Sequence, residues 1–201
     1  RVSHVMLRVT GYVMNFAPFA VFAAIAATVT ENGLDILVTY GRFIGGFYLA
    51  LGSLWVILIV AGLLFVGPRI LRLIGMVREP ILLAFSTASS EAAYPRTFEA
   101  LQRFGISRRI AGFVLPLGYS FNLDGSMMYC TFAVIFIAQV YGIELSAVQQ
   151  ISMLLLLMVT SKGMAGVPRA SLVVIAATLT QFGMPEAGLL LILGVDHFLD
   201  M

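Results

Sequence analysis

Polar residues interrupt the most apolar stretch of this chain. Asp124 is the only charged residue in the range 110–143, and Asn122, Gly125 and Ser126 stand beside it in the run NLDGS. A carboxylate at the centre of a bilayer costs about 3 kcal/mol to insert, so Asp124 needs compensating positive charge. A hard cation such as Na⁺ would supply it, because such ions prefer oxygen ligands like those of Asp124 and Asn122.

The glycine after Asp124 would allow backbone carbonyls to become further cation ligands. Glycine has the greatest backbone freedom, so Gly125 allows a helix to unwind here. Unwinding would turn the backbone carbonyls of Gly118, Ser120 and Asn122 toward the ion. The alternative is a surface turn, since Asp-Gly is a common turn pair. The long apolar flanks favour the ion site.

Two other short segments are rich in small and hydroxyl-bearing residues. They read STASSE at residues 86–91 and GMAGVPR at residues 163–169. Irregular backbone at membrane depth survives only where it is buried or lines a cavity. Helix ends in such places present free N–H groups, which bind anions such as carboxylates. Helix caps or helix-packing serines are the alternative for residues 86–91.

The remaining polar side chains do not form the arrangement that catalysis requires. Asp196 and Asp200 lie four apart and so share a helix face, but no nucleophile, base or metal cluster accompanies them. We therefore predict that the protein is not an enzyme and has no cofactor beyond the cation expected at Asp124. Asp200 is a candidate partner for a substrate ammonium group. Cys130, the single cysteine, is interpreted as a small core residue. Lys162 is interpreted as either an interface lysine or a site residue.

Composition sets the class to which these residues belong. Hydrophobic residues form 60% of the chain and charged residues 11%, whereas soluble domains have about 45–50% and about 25%. The mean hydropathy is +1.00. We predict an all-α polytopic membrane protein. The chain begins without an initiator methionine or a signal-peptide pattern, so we expect it to be a piece of a longer protein.

The apolar runs suggest how the chain is divided. A spanning helix needs about 20 apolar residues, and Tyr12–Thr30 and Phe43–Val66 meet this, giving two transmembrane helices in residues 1–68. Residues 69–201 are predicted to form a second unit. Its predicted segments are a hairpin at 79–106, a broken transmembrane helix at 109–143, a second hairpin at 147–182 and the start of a last helix at 187–201.

Basic residues orient these segments, since short cytoplasmic loops are enriched in them. The arginines on both sides of the first hairpin are Arg69, Arg72, Arg78, Arg103, Arg108 and Arg109. This hairpin is therefore predicted to be re-entrant from the cytoplasmic side. The loops beside the second hairpin carry no Lys or Arg, which predicts entry from the outer side. Two oppositely oriented re-entrant hairpins, each followed by a helix, are typical of an inverted repeat.

With these motifs the chain resembles the dicarboxylate/amino acid:cation symporter family, which includes glutamate and aspartate transporters. The stretches that carry the resemblance are APFAVF, STASSEAAYPR, PLGYSFNLDGSMMY, IFIAQVYGIELS, VTSKGMAGVP and ILGVDHFLDM. The resemblance implies secondary active symport of an acidic amino acid, glutamate or aspartate, with Na⁺ or H⁺. It also implies an elevator mechanism, in which a transport domain at residues 69–201 moves against a trimeric scaffold.

The resemblance also implies roles for individual residues, with Asp200 taking the substrate amino group. The implied substrate-binding residues are Ser89, Ser90, Ser126, Ala165, Gly166, Val167, Pro168 and Asp200. The implied cation-binding residues are Gly118, Ser120, Asn122, Asp124, Ser161, Lys162 and Met164, mostly through backbone carbonyls. Expected partners are the acidic substrate, membrane lipid and, at full length, two further copies in a homotrimer, with no nucleic acid. The expected location is the inner cell membrane, as a multi-pass protein.

Three alternatives stay open at this point. A C4-dicarboxylate carrier on the same fold would transport succinate, malate or fumarate, although such carriers in this family tend to lack an acid at the position of Asp200. An ion channel is another class, because broken helices also line pores. Na⁺ and H⁺ both remain possible coupling ions, since a carboxylate in a low dielectric holds either. Arg169 stands where the family often has glycine.

Overall fold

The computed structural model describes residues 35–87, 89–164 and 170–200, together with positions 19, 22, 23, 26, 29, 30 and 33. From residue 35 onward every regular element in these ranges is helical. The α-helices are α1 (Asp35–Val66), α2 (Arg69–Thr87), α3 (Ser90–Phe104), α4 (Arg108–Phe121), α5 (Asp124–Val140), α6 (Ala147–Thr160), α7 (Ala170–Gln181) and α8 (Gly188–Leu199). A short 3₁₀ turn, Ser161–Gly163, follows α6 directly.

Helix α1 is long enough to cross a bilayer. It has 32 residues, about 48 Å at about 1.5 Å per residue, against a hydrocarbon core of about 30 Å. Its apolar side chains are largely uncovered by the other described helices, with Leu64 79% and Phe65 90% exposed. The helix begins before the predicted apolar run and contains Arg42, whose long side chain can reach an interface without ending the helix. Such a surface requires lipid or further protein around it.

Helices α2 and α3 fold back on each other as a hairpin. The Arg96 guanidinium of α3 lies 3.5 Å from the Glu79 carboxylate of α2, although the two residues are far from the turn that joins the helices. Gly67, with φ +73°, ends α1 before this hairpin. Gly105, with φ +109°, ends α3 after it by donating its N–H to the last turn. Glycine is favoured at both positions because other residues rarely adopt positive φ.

Helices α4 and α5 are nearly continuous in sequence. Only Asn122 and Leu123 separate them, and the stretch Arg108–Val140 is long and apolar enough to cross a membrane. Leu37–Val66 is the other stretch of the described residues that meets this test of length and composition. The structure is thus all-helical over its described ranges, with two helical stretches suited to a membrane.

Helix α5 is the centre of the hydrophobic core. Tyr129, Ala133, Val134 and Ile137 on this helix are all fully buried. Residues from four other helices surround them: Phe43 and Phe47 of α1, Met153 and Leu157 of α6, Ile175 and Leu179 of α7, and Ile192 and Val195 of α8. Because α5 begins at Asp124, this packing fixes the position of the NLDGS run.

Candidate functional site

The helical interruption at Asn122 and Leu123 lies at the middle of the candidate site. The backbone of Asn122 (φ −119°, ψ 59°) and of Leu123 (φ −94°, ψ 53°) is not helical. The Asn122 N–H donates to the Gly118 carbonyl at 2.8 Å, which closes the last turn of α4. The Gly118 carbonyl is therefore already engaged by one donor, although a carbonyl oxygen can accept a second partner.

Asp124 opens α5 and lies at its positive end. A carboxylate in the first turn of a helix gains about 0.3–1 kcal/mol from the helix dipole at exposed sites, and more when partly buried. The side chain is half-buried. It lines a cavity of about 310 Å³ together with Leu54, Met127, Met128, Thr131, Phe132 and Leu154. The dipole thus offsets part of the cost of a carboxylate in mostly apolar surroundings.

The turn after α6 contacts this interruption from another part of the chain. The Lys162 ammonium donates a hydrogen bond to the backbone carbonyl of Phe121, the last residue of α4. Neighbouring Ser161 is buried at 1% exposure, and its hydroxyl donates to Met158 at 3.2 Å. The Ser161 carbonyl accepts from the Met164 N–H at 3.2 Å. The two segments that hold predicted cation ligands, around residues 120 and 161, therefore contact each other.

Two carboxylates near the end of α8 are held by hydroxyl groups from different helices. The Tyr129 hydroxyl of α5 donates to Asp196 Oδ1 at 2.7 Å, and Asp196 is fully buried. The Ser171 hydroxyl at the start of α7 donates to Asp200 Oδ1. The Asp200 N–H donates to the Asp196 carbonyl at 2.8 Å, so the helical turn continues to Asp200. The predicted ammonium-binding carboxylate is thus fixed in orientation.

The serines of the α2–α3 turn have a structural contact as well. Ser89 is the N-cap of α3, and its hydroxyl accepts the Ala92 N–H at 3.4 Å. Ser90 begins α3 and Ser126 lies in the first turn of α5, both half-buried. Within the described residues no hydrogen bond joins Ser90 to Ser126. The predicted residues Ala165, Gly166, Val167 and Pro168, with Arg169, lie outside the described residues.

Sequence reasoning missed Tyr129 and Ser171. Tyr129 lies between two other hydroxyl residues, Ser126 and Thr131, and Ser171 is a small residue at the start of an apolar run, so neither stands out by composition. A signal did exist, because a buried carboxylate needs hydrogen-bond donors. Asp196 lies in an apolar helix and must find one on a neighbouring element. Pairing it with Tyr129 required knowing that α5 and α8 pack together.

Over its described residues the fold is that of an all-helical membrane protein. Its apolar helices are interrupted by polar segments, and the interruptions around residues 122 and 161 contact each other. The sequence model that describes the sodium:dicarboxylate symporter family matches residues 1–201 of the chain. The chain belongs to this family, whose members named below are transporters rather than enzymes.

Three relatives show the extent of the similarity. The chain is 46% identical over 200 residues to the proton/sodium-glutamate symport protein of Bacillus subtilis (strain 168), covering 100% of the chain and 47% of that protein. It is 46% identical over 202 residues to the proton/glutamate-aspartate symporter of Escherichia coli (strain K12), covering 100% and 46%. It is 44% identical over 203 residues to the C4-dicarboxylate transport protein of Sphingopyxis alaskensis, covering 100% and 45%. The chain thus spans about half the length of these relatives.

Proposed function

We propose that the protein to which this chain belongs is a secondary active symporter that takes up an acidic amino acid, glutamate or aspartate, together with Na⁺ or H⁺. The observation that carries the proposal is the Asp200 carboxylate, oriented by the Ser171 hydroxyl and partly buried. A fixed carboxylate in a low-dielectric site binds an ammonium group strongly. The relatives named as glutamate and glutamate-aspartate symporters support this substrate class.

The cation site in this proposal lies at the interruption between α4 and α5. Its ligands are the Asp124 carboxylate, the Asn122 amide oxygen and the carbonyls of Gly118, Ser120 and Asn122. The carbonyls of Ser161, Lys162 and Met164 complete a second set. The contact between Lys162 and Phe121 supports the closeness of the two sets. The cation would bring the positive charge that Asp124 requires in an apolar surrounding.

The substrate carboxylates in this proposal meet the turns at the ends of the two hairpins. Ser89 and Ser90 contribute from the α2–α3 turn, Ser126 from α5, and residues 165–168 from the turn before α7. Free N–H groups at such turns bind carboxylates, as helix N-termini do. The α2–α3 hairpin and the α6–α7 pair are then re-entrant from opposite sides of the membrane, as the arginine distribution favours.

The proposal also covers how the transport core moves and how the full-length protein assembles. Residues 69–201 form the transport core of an elevator that carries substrate and cation across the membrane. The full-length protein is a multi-pass homotrimer of the inner cell membrane, embedded in lipid. The uncovered apolar surface of α1 supports a location where lipid or other helices surround it.

Uptake by the full-length protein in proteoliposomes tests this function. Radiolabelled glutamate or aspartate should accumulate against its gradient when an inward Na⁺ or H⁺ gradient is imposed, and collapsing that gradient with an ionophore should stop accumulation. Imposing the two gradients separately identifies the coupling ion. Purely downhill flux under every gradient would point to a channel and refute the symport proposal.

A C4-dicarboxylate carrier is the second candidate, because a relative of that name is 44% identical over the whole chain. The two candidates differ in the amino group that Asp200 would bind. Competition against glutamate uptake separates them: aspartate should compete and succinate should not. Succinate outcompeting both amino acids would favour the dicarboxylate carrier.

A further inference from the structure

Lys162 places an ammonium group beside the proposed cation site. It is the only lysine of the chain, and it lies in the 3₁₀ turn that follows α6. Its ammonium reaches the Phe121 carbonyl, a contact across 41 positions of sequence. The contact joins the Ser161–Gly163 turn to the end of α4.

The electrostatics of this contact resemble those of a bound ion. The last carbonyls of a helix lack partners within the helix and carry partial negative charge. A cation that binds them is stabilised, whether it is a free ion or a tethered ammonium. The Phe121 carbonyl adjoins Ser120 and Asn122, two of the proposed carbonyl ligands. A Na⁺ ion bound there would lie within a few ångströms of the Lys162 ammonium and would be repelled by it.

We propose that the Lys162 side chain is a tethered competitor of the coupling cation, so that it determines how strongly Na⁺ supports substrate binding. With the ammonium on the Phe121 carbonyl, the Ser161–Gly163 turn stays docked on the interruption without a bound ion. Na⁺ must displace the ammonium before it gains the carbonyls at the end of α4. This inference rests on the proposed symport function, and it concerns the Lys162 side chain rather than its backbone carbonyl.

The test is Lys162→Met in the full-length protein, with the Na⁺ concentration for half-maximal glutamate binding measured by calorimetry. Met keeps most of the length, an apolar stem and the backbone carbonyl but removes the charge. We expect the half-maximal Na⁺ concentration to fall about tenfold, equivalent to about 1.4 kcal/mol. If the unmodified protein binds glutamate without Na⁺, the variant should acquire Na⁺-dependent binding. An unchanged or increased half-maximal Na⁺ concentration would overturn the proposal.

Two matched variants isolate the charge at this position. Lys162→Arg keeps a cation on a long side chain and should stay within about threefold of the unmodified protein. Arg72→Met removes an exposed cation of α2 that has no place in the proposed site, and it should leave the Na⁺ dependence unchanged. A fall of equal size in Arg72→Met would assign the effect to general surface charge and refute the role of Lys162.

A chemical measurement covers the case in which Lys162→Met does not fold. Acylation of Lys162 by a succinimidyl ester, followed by peptide mass spectrometry, should increase when NaCl replaces choline chloride, because displaced ammonium groups react faster. Equal reactivity in both salts would contradict displacement. Absence of glutamate, aspartate and succinate binding by the unmodified protein would instead refute the proposed function, while the acylation result would still decide the inference about Lys162.

Discussion

The Tyr129 hydroxyl and the Asp196 carboxylate form a 2.7 Å hydrogen bond in the core, where both residues have 0% exposure. The bond links α5, which begins at Asp124, to α8, which leads into Asp200. Because Asp124 and Asp200 are both proposed site residues, this bond ties the proposed cation-binding end of the site to the proposed substrate-binding end. It is therefore a structural contact whose loss should affect stability first.

Tyr129→Phe tests the strength of this link. The variant keeps the ring, which packs edge-on against Phe47 at 6.2 Å between ring centroids, and removes only the hydroxyl. Removing a donor from a buried carboxylate costs about 1–3 kcal/mol. We expect the thermal midpoint of the full-length protein in detergent, followed by circular dichroism, to fall by several degrees. Tyr141→Phe, at a ring that is 42% exposed, is the control, and an equal fall in both variants would contradict the argument.

Gly188→Ala tests how closely α8 packs on α5. A Cβ at Gly188 would lie 2.4 Å from Ile137 Cγ2 and 3.3 Å from the Tyr141 ring. Ile137 is fully buried and cannot move aside cheaply, and overpacking of this kind costs about 1–3 kcal/mol. We expect a lower thermal midpoint by the same circular dichroism measurement.

The control for this variant is Gly52→Ala in α1, where no described atom beyond the helix's own neighbouring backbone lies within 4 Å of the added Cβ. Alanine is favoured over glycine inside a helix by about 1 kcal/mol, so Gly52→Ala should leave the midpoint unchanged or raise it. Stability equal to that of the unmodified protein in Gly188→Ala would show that α8 shifts freely relative to α5.

Parts of this arrangement could be predicted from sequence because they are local. The apolar length of α1 and the isolated charge of Asp124 can each be read from one continuous stretch of sequence. Composition alone indicates a membrane protein. The hydroxyl-rich segment at residues 86–91, which contains Ser89, is also visible locally in the sequence. In the structure the Ser89 hydroxyl caps α3.

The remaining contacts depend on tertiary packing that a single sequence does not encode visibly. Tyr129 and Asp196 are 67 positions apart, and Lys162 and Phe121 are 41 apart. Each pair joins elements with two helices between them in sequence, so it forms only through tertiary packing. The sequence predicted that Asp124 needs a positive partner, but not that the chain's own lysine lies beside the same interruption.

Asp124→Asn tests the proposed cation site. The substitution keeps the size and one oxygen of the side chain while removing the charge that attracts the ion. We expect the Na⁺ concentration for half-maximal glutamate binding to rise about tenfold or more, equivalent to about 1.4 kcal/mol or more. If coupling uses H⁺ instead, the pH dependence of uptake should weaken. Calorimetry and proteoliposome uptake on the full-length protein measure both.

The matched control for Asp124→Asn is Glu144→Gln, which removes an exposed carboxylate from the connection after α5. It should bind Na⁺ and substrate like the unmodified protein. Cation dependence that survives unchanged in Asp124→Asn would exclude this carboxylate as a coupling residue.

Asp200→Ser and Ser171→Ala together test how the substrate amino group is recognised. Loss of a charge-assisted hydrogen bond costs about 1.5–3 kcal/mol, so Asp200→Ser should weaken aspartate and glutamate binding by about ten- to a hundredfold. Succinate, which has no ammonium group, should gain relative to both amino acids. Ser171→Ala leaves the carboxylate but removes the hydroxyl that orients it, so it should shift the same ratio in the same direction by only a few-fold.

Competition binding with labelled aspartate against unlabelled succinate measures this ratio for each variant. Glu186→Gln, an exposed carboxylate just before α8, serves as the control and should leave it unchanged. A parallel loss of aspartate and succinate binding in Asp200→Ser would mean that Asp200 supports the site as a whole. Only a selective loss of the amino acids assigns the Asp200 carboxylate to the ammonium group.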